Sequence, residues 1–410
     1  MLKGNEKIAV RKLGVDLQQW RNDKGQTAIE LASQQTAAGF KVWRDNDGAD
    51  GFEAYAHAMA AANPDLLKLE VIGQSRGNPG GAPRDIIALQ LTVGGDGLAG
   101  GQKPAVLYHS LQHAREWIGG EVNRRLLEWY IKKYREGDSQ ITNLLQTTEL
   151  WFILVTNPDG YQYTFTEGNR LWRKNRRDND GNGVINNFDG VDLNRNYPEH
   201  WGWDEDGSSP LLSSETYRGS SPASEPETRA MINLYDQVDF VFHVNWHSVG
   251  QWLLCGLGAI MDTPTADDPI FVALSGTDKH PAIQGFNPGI SSSELYVTNG
   301  DTNDFAYADR GAMGWVPELS EGPNGDGFIF PDHEGQIQTE FNRVLPFARS
   351  VALSALAEIL NRCRSWPNET LTTMELPTMS SRFEVGQWRI CVHGADDGMG
   401  RRRPLWRRRR

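Results

Sequence analysis

Cysteine is scarce: three in 410 residues, at Cys255, Cys363 and Cys391. Three scattered thiols exclude a disulfide framework and a thiolate zinc cluster; one pair could form, and the sequence does not choose it. Long apolar runs are missing too. The best of them, DFVFHVN around Phe240, falls far short of the roughly 20 residues that span a bilayer. The N-terminus, MLKGNEKIAV, lacks the apolar centre of a secretory leader, which leaves both a cytosolic and an extracellular setting open. Positive charge is in deficit, with a net charge of −12 at pH 7, and this argues against a nucleic-acid binder. The deficit is deeper over most of the chain, because the closing RRRPLWRRRR holds seven arginines in ten residues. That basic tail reads as a disordered extension. No repeat with a period of roughly 20–50 residues is visible.

What is present is the composition of a globular protein, 39% hydrophobic and 23% charged, long enough for a sizeable core. Residues 1–50 include a helical stretch, TAIELASQQTAAG, and read as a small separate piece that ends at the turn RDNDGADG. From there the pattern alternates. FEAYAHAMAAA, EVNRRLLEWYIKKY and EFNRVLPFARSVALSALAEILNRC have helical periodicity. LLKLEVIGQS, RDIIALQLTV, KPAVLYHSL, ELWFILVTN and VDFVFHVNWHS read as strands, most of them buried. The expected architecture is α/β, a mixed central sheet covered by helices on both faces over residues 51–363, with active residues at strand ends. Residues 364–410 are expected to be a tail with little structure.

The stretch LQHAREWIGG follows a buried strand and places His113 and Glu116 three apart, on one face of a first helical turn. Alone, H-x-x-E is a weak pattern, equally consistent with an ordinary charged helix start. A catalytic zinc takes three such imidazole and carboxylate ligands and keeps a fourth position open. Of the nine histidines, His247 at the end of its strand is the best-placed third ligand. His243 shares its strand parity and His109 lies inside the preceding strand; both read as satisfied core histidines.

Four further segments give the pattern its specificity: NRLWRKNRR with Arg173, GVDLNRNY with Asp192, Asn194 and Arg195, SELYVTNGDTNDF with Tyr296, and GWVPELSEG with Glu318. Together, and in this order, they resemble the zinc metallocarboxypeptidases of the carboxypeptidase A and B type, over roughly residues 51–363. The resemblance implies that His113, Glu116 and His247 bind one zinc ion. It implies that Asp192 orients His113, that Glu318 is the general base, and that Arg173 stabilises the oxyanion. Asn194, Arg195 and Tyr296 would hold the substrate's terminal carboxylate, with Arg115 nearby. The physics suits each role: an arginine fork grips a carboxylate in two places and stays charged.

The resemblance also places Asn303, with Asp301 close by, at the base of the pocket that selects the C-terminal residue. A neutral amide there resembles the bacterial members of mixed specificity, which implies release of apolar residues with some acceptance of Lys or Arg. Residues 1–50 stand where the family carries an inhibitory pro-segment, but are shorter than a full one. The family setting implies a secreted, monomeric enzyme acting on peptides and proteins with a free C-terminus, with no membrane or nucleic-acid partner. Two alternatives remain open at this level: a peptidoglycan-peptide hydrolase or deacylase on the same scaffold, and a non-catalytic zinc- or peptide-binding module.

A second metal is suggested by DNDGNGVINNFD. Asp178, Asp180 and Asn182 fall at positions 1, 3 and 5, glycine at 6 and Asp189 at 12, the ligand order of a calcium loop. Against it stand the short Asp at position 12, the lack of flanking helices, and the ordinary gathering of Asn, Asp and Gly in turns.

Overall fold

In a computed structural model, the described residues are 42–77, 79–99, 103–320, 330 and 334–364, with short strand pieces at 372–373, 389–390, 394–396 and 402–404. The helical stretch expected before residue 40, the pro-segment reading and most of the arginine-rich tail lie outside them. Cys255 is buried and forms no disulfide among the described residues.

The elements follow in the order α1 (Phe52–Ala62), β1 (Leu67–Gln74), β2 (Asp85–Leu91), β3 (Ala105–Ser110), α2 (Trp117–Arg135), α3 (Ser139–Thr147), β4 (Glu149–Ile153) and α4 (Pro158–Tyr163). After a long irregular segment come α5 (Pro226–Gln237), β5 (Phe240–Ser248), β6 (Trp252–Cys255), α6 (Asp268–Ser275), β7 (Asn287–Ile290), β8 (Met313–Leu319) and α7 (Glu334–Arg364). The strands expected from apolar runs are found. β6 and β7, four residues each, are too short to leave a periodic signal.

The eight strands form one mixed sheet in the order β1-β2-β4-β3-β5-β8-β6-β7. β4, β3, β5 and β8 are parallel neighbours in the centre. Antiparallel pairing of β1 with β2, β2 with β4 and β8 with β6 flanks them. Central strands in such a sheet are covered on both faces, which is why every residue of β3, β4 and β5 is buried and their sequences read as continuous apolar runs.

Two cores result. One face packs Val106, Tyr108, Phe152, Val244 and Trp246 against Leu126 of α2 and Phe347 and Val351 of α7. The other packs Ile86, Leu107, Trp151 and Phe240 against Ala230, Met231 and Leu234 of α5. Each such fully buried side chain stabilises the fold by about 1.5–3 kcal/mol before entropy is counted. One glycine sets the depth of α2: a Cβ on Gly119 would lie 3.1 Å from the Trp246 carbonyl oxygen. That close approach brings the start of α2 to the end of β5, where the site forms.

Candidate metal centre and active site

The parallel strands carry the site at their C-terminal ends, as open α/β sheets do. The chain leaves β3 through Leu111, whose φ of 54° turns it sharply, and enters α2 through His113–Glu116. His247 closes β5, and Glu318 sits opposite it in the β5–β8 register. Strand pairing alone therefore brings the third histidine beside the carboxyl.

His113, Glu116 and His247 are all buried, and one donor atom from each lies within 4.8 Å of the others. His113 Nδ1 is 2.8 Å from Glu116 Oε1 and 3.0 Å from His247 Nδ1, which is 2.9 Å from Glu116 Oε2. Asp192 decides the tautomer, since its Oδ1 accepts the Nε2–H of His113 at 3.1 Å. Nδ1 of His113 then turns a lone pair toward a carboxylate oxygen and a second imidazole nitrogen. With Nδ1 of His247 likewise unprotonated, these facing lone pairs repel, and a shared cation converts the repulsion into attraction. Spacings near 3 Å suit metal bonds of about 2.0–2.2 Å. The donor set thus fits zinc.

The surroundings are interlocked. Asp192 Oδ1 also accepts the backbone N–H of Asn194 at 2.9 Å, while Oδ2 accepts Nε and Nη2 of Arg173 at 3.1 and 2.9 Å. Burial alone would raise the Asp192 pKa, but Arg173 and His113 outweigh it and hold this carboxyl well below its usual value. Burial likewise opposes ionisation of Glu116, yet His113 and His247 keep it charged. Arg173 Nη1 stands 3.9 Å from Glu116 Oε1. Its backbone carbonyl accepts from Ala114 N–H at 3.0 Å, which fixes it to the histidine turn. Glu318 is partly exposed. Removal from water, and then the charge of Glu116, push its pKa well above the usual value against the pull of Arg173 and Arg195.

Arg195, 1% exposed, donates through Nε to Gly207 O at 2.9 Å, through Nη1 to Asn194 O at 2.7 Å and through Nη2 to Tyr296 Oη at 3.3 Å. Asn194 Oδ1 accepts from Thr302 N and Oγ1. The structure thus gathers Arg195, Asn194 and Tyr296 in one place. Arg115 is placed through Nη1, which donates to Leu171 O at 3.3 Å and Glu215 Oε2 at 2.9 Å.

Asn303 and Asp301 are both buried. Asn303 Oδ1 pairs with His243 Nε2, whose other nitrogen meets Tyr235 Oη, so His243 is a satisfied core histidine as expected. Burial pushes its pKa down to about 4. Only glycine fits opposite: a Cβ on Gly314 would fall 1.9 Å from His243 Nε2. Asp301 accepts from Thr298 Oγ1 and from Asp304 N–H, and burial together with Asp304 raises its pKa to about 7. His109 departs from expectation. It is fully buried, but neither ring nitrogen has a hydrogen-bond partner among the described residues; burial, then His243 and His247, drive its pKa well below the ordinary value.

In the acidic loop, Asp178, Asp180 and Asp189 come within 4.8 Å of one another. Their oxygens are already engaged by donors. Asp178 accepts the N–H groups of Gly181, Asn182 and Gly183, and Asp189 those of Asn179 and Asn186. Asn182 gives its amide nitrogen to Asp180 Oδ2. The loop closes on itself, and the calcium expectation gains no support from it.

Sequence reasoning missed the supports. Gln112, beside His113, pairs with Asn245 of β5 and Thr302. Asn157 ties the histidine turn to the arginine segment by donating to Gln112 O at 3.2 Å and Lys174 O at 3.1 Å. Only Asn157 left a signal, as the Asn before Pro that caps α4.

The chain belongs to the zinc carboxypeptidase family, whose profile matches residues 52–345. It is 31% identical over 274 residues to a metallocarboxypeptidase A-like protein of Trichophyton verrucosum, covering 65% of this chain and 60% of that one. It is 30% identical over 292 residues to carboxypeptidase A5 of Macaca fascicularis, covering 70% of this chain and 60% of the relative. The chain therefore spans about three-fifths of the length of these curated relatives. Among solved structures, its fold is similar to thrombin-activatable fibrinolysis inhibitor, with a TM-score of 0.65 at 22% identity over 80% of this chain and 81% of the other. Carboxypeptidase A of Helicoverpa armigera has a TM-score of 0.62 at 22% identity, over 86% and 81%.

Proposed function

We propose that this protein is a zinc-dependent carboxypeptidase that hydrolyses the C-terminal bond of peptides and proteins. The observation that carries the reading is the convergence of His113, Glu116 and His247 beside a carboxyl, Glu318, that stands in register with His247. His113, Glu116 and His247 would hold the zinc ion, which when bound supplies Lewis acidity toward water and the scissile carbonyl. Arg195, assisted by Asn194 and Tyr296, takes the terminal carboxylate and restricts cleavage to the last bond. Glu318 removes a proton from the attacking water and delivers it to the leaving amine; its raised pKa suits a group that must both accept and release. Arg173, held in place by Asp192, faces the negative charge that develops on the carbonyl oxygen.

The pocket supports a broad preference for apolar C-terminal residues with some acceptance of Lys or Arg. Asn303 is neutral, and Asp301, with its pKa near 7, gains charge only as the pH rises through that value. A panel of blocked dipeptides tests this, and a strict preference for acidic residues would sink it. The protein acts outside the cell as a monomer in this reading, checked by activity in the culture medium and by light scattering.

The deciding experiment compares metal content and amino-acid release in wild type and Glu318→Gln. Retained zinc with activity lowered by about 10²–10⁴-fold supports the mechanism. Undiminished release would refute it.

A further inference from the structure

The segment between Arg195's anchor at Gly207 and the start of α5 folds back along the site. Tyr217 O accepts the backbone N–H of Asp192 at 2.9 Å, and Leu212 O accepts Lys174 Nζ at 3.0 Å. Between these two anchors, Glu215 reaches Arg115, placing Oε2 2.9 Å from Nη1. The two partners differ in exposure. The Arg115 side chain is 16% exposed and that of Glu215 is 52% exposed. A half-buried guanidinium one residue from Glu116 is thus covered by a carboxylate that stands half in water.

The contacts around this pair tie it to the rest of the site. Arg115 donates to the carbonyl of Leu171, two residues before Arg173, and Arg173 is held by Asp192, which also accepts the backbone N–H of Asn194 beside Arg195. Arg173 and Asp192 therefore link the carboxylate grip at Arg195 to the Arg115–Glu215 pair. A peptide whose terminal carboxylate lies at Arg195 crosses Arg173 at the scissile bond and carries its preceding residues toward Arg115.

We propose that Glu215 is a charge filter for the residues on the N-terminal side of the scissile bond, favouring Lys or Arg there over Asp or Glu. The inference rests on the carboxypeptidase reading and adds a specificity that the terminal pocket does not supply. An ion pair whose carboxylate stands half in water is weak enough for an incoming charge to rearrange. A basic substrate residue meets the outward-facing carboxylate of Glu215 directly. An acidic one meets the same carboxylate as a like charge, and can reach Arg115 only by displacing it.

The test uses two N-acetylated peptides that share a C-terminal Leu and differ only in the residue before it, Lys or Glu. Wild type should cleave the Lys peptide with the higher kcat/KM, and this preference should shrink as salt is raised. In Glu215→Gln the preference should fall by about three- to tenfold, through better cleavage of the Glu peptide. In Arg115→Gln, where Glu215 loses its counter-charge, it should grow. A role as a mere loop anchor would move both peptides by the same factor, and that result would overturn the filter. So would an unchanged ratio in Glu215→Gln. If wild type released leucine from neither peptide, the carboxypeptidase reading itself would fall and the filter with it. Release from both with an unmoved ratio removes only the filter.

Discussion

His113, Glu116 and His247 at the strand ends, and Asp178, Asp180 and Asp189 in the acidic loop, each bring three donor atoms within 4.8 Å of one another. They differ in what else their lone pairs do. The first group is buried, and apart from Ser248 N–H and Arg173 Nη1, at 3.4 and 3.9 Å from the Glu116 carboxylate, its facing atoms meet each other, since the one proton on His113 is committed to Asp192. The second is partly in water, and backbone N–H groups already fill its carboxylates. Proximity of acids is therefore a poor sign of a metal. Buried lone pairs that only a cation can reconcile are a better one.

The largest test of that difference is His247→Ala. It should leave the chain without stoichiometric zinc and lower peptide release by on the order of 10³-fold or more. It should also remove the stabilisation that binding supplies, about 4 kcal/mol when free metal exceeds Kd a thousandfold. Metal analysis, an activity assay and a thermal melt read these together. A variant that kept one tightly held zinc per chain would show that the histidine is not a ligand.

Asp192→Asn should act next most strongly. The carboxylate holds the His113 tautomer and also takes both Nε and Nη2 of Arg173. Competition with a chelator should show zinc affinity reduced about 10–100-fold. If activity fell while affinity stayed constant, Asp192 would serve Arg173 alone.

A third carboxylate group sharpens the comparison by showing burial without enough positive charge. Glu225 and Glu227, both buried, share Asn175 as a donor. Arg76 and Arg177 pair with Glu225, while Glu227 receives backbone N–H groups, that of Arg76 among them, and no cationic side chain among the described residues. Burial, and then the charge of Glu225, raise the Glu227 pKa to about 7. The folded value lies above that of the unfolded chain, so this group's stabilisation is complete below about pH 4.3 and is lost as the pH rises through 7. Glu227→Gln should flatten that loss, by about 1–3 kcal/mol between pH 5 and pH 8 in denaturant unfolding. An unchanged slope would mean that Glu227 is already ionised at pH 5.

The same contrast explains what could be read from the chain. β3, β4 and β5 were legible because burial on both faces leaves unbroken apolar runs, and their ends pointed to the site. H-x-x-E lay within one helical turn, and the arginine and glutamate motifs came in a recognisable order. The supports were not legible. Gln112 meets Asn245 at a separation of 133 residues and Thr302 at 190, and Arg195 is held by the carbonyl of Gly207, where side-chain identity carries no signal. His109 and His243 looked alike in sequence, but among the described residues only His243 finds hydrogen-bond partners, because Tyr235 and Asn303 arrive from distant segments. In the acidic loop the spacing suggested ligands, whereas the backbone conformation, which spacing does not report, turned its N–H groups inward.

The smallest expected effect falls on that loop. A calcium-selective chelator, applied with zinc retained, should change neither activity nor unfolding free energy by more than about 0.5 kcal/mol. The reason lies in competition between donors. A calcium ion needs six to eight oxygens with lone pairs directed at it, and here Asp178 alone already accepts from Gly181, Asn182 and Gly183. To bind, the ion would have to break those bonds and repack the turn, while the loop without it is closed by its own backbone. A chelator-induced drop in melting temperature, reversed by added calcium, would show that the loop does reorganise around an ion. The line drawn between the two groups would then have to rest on burial alone.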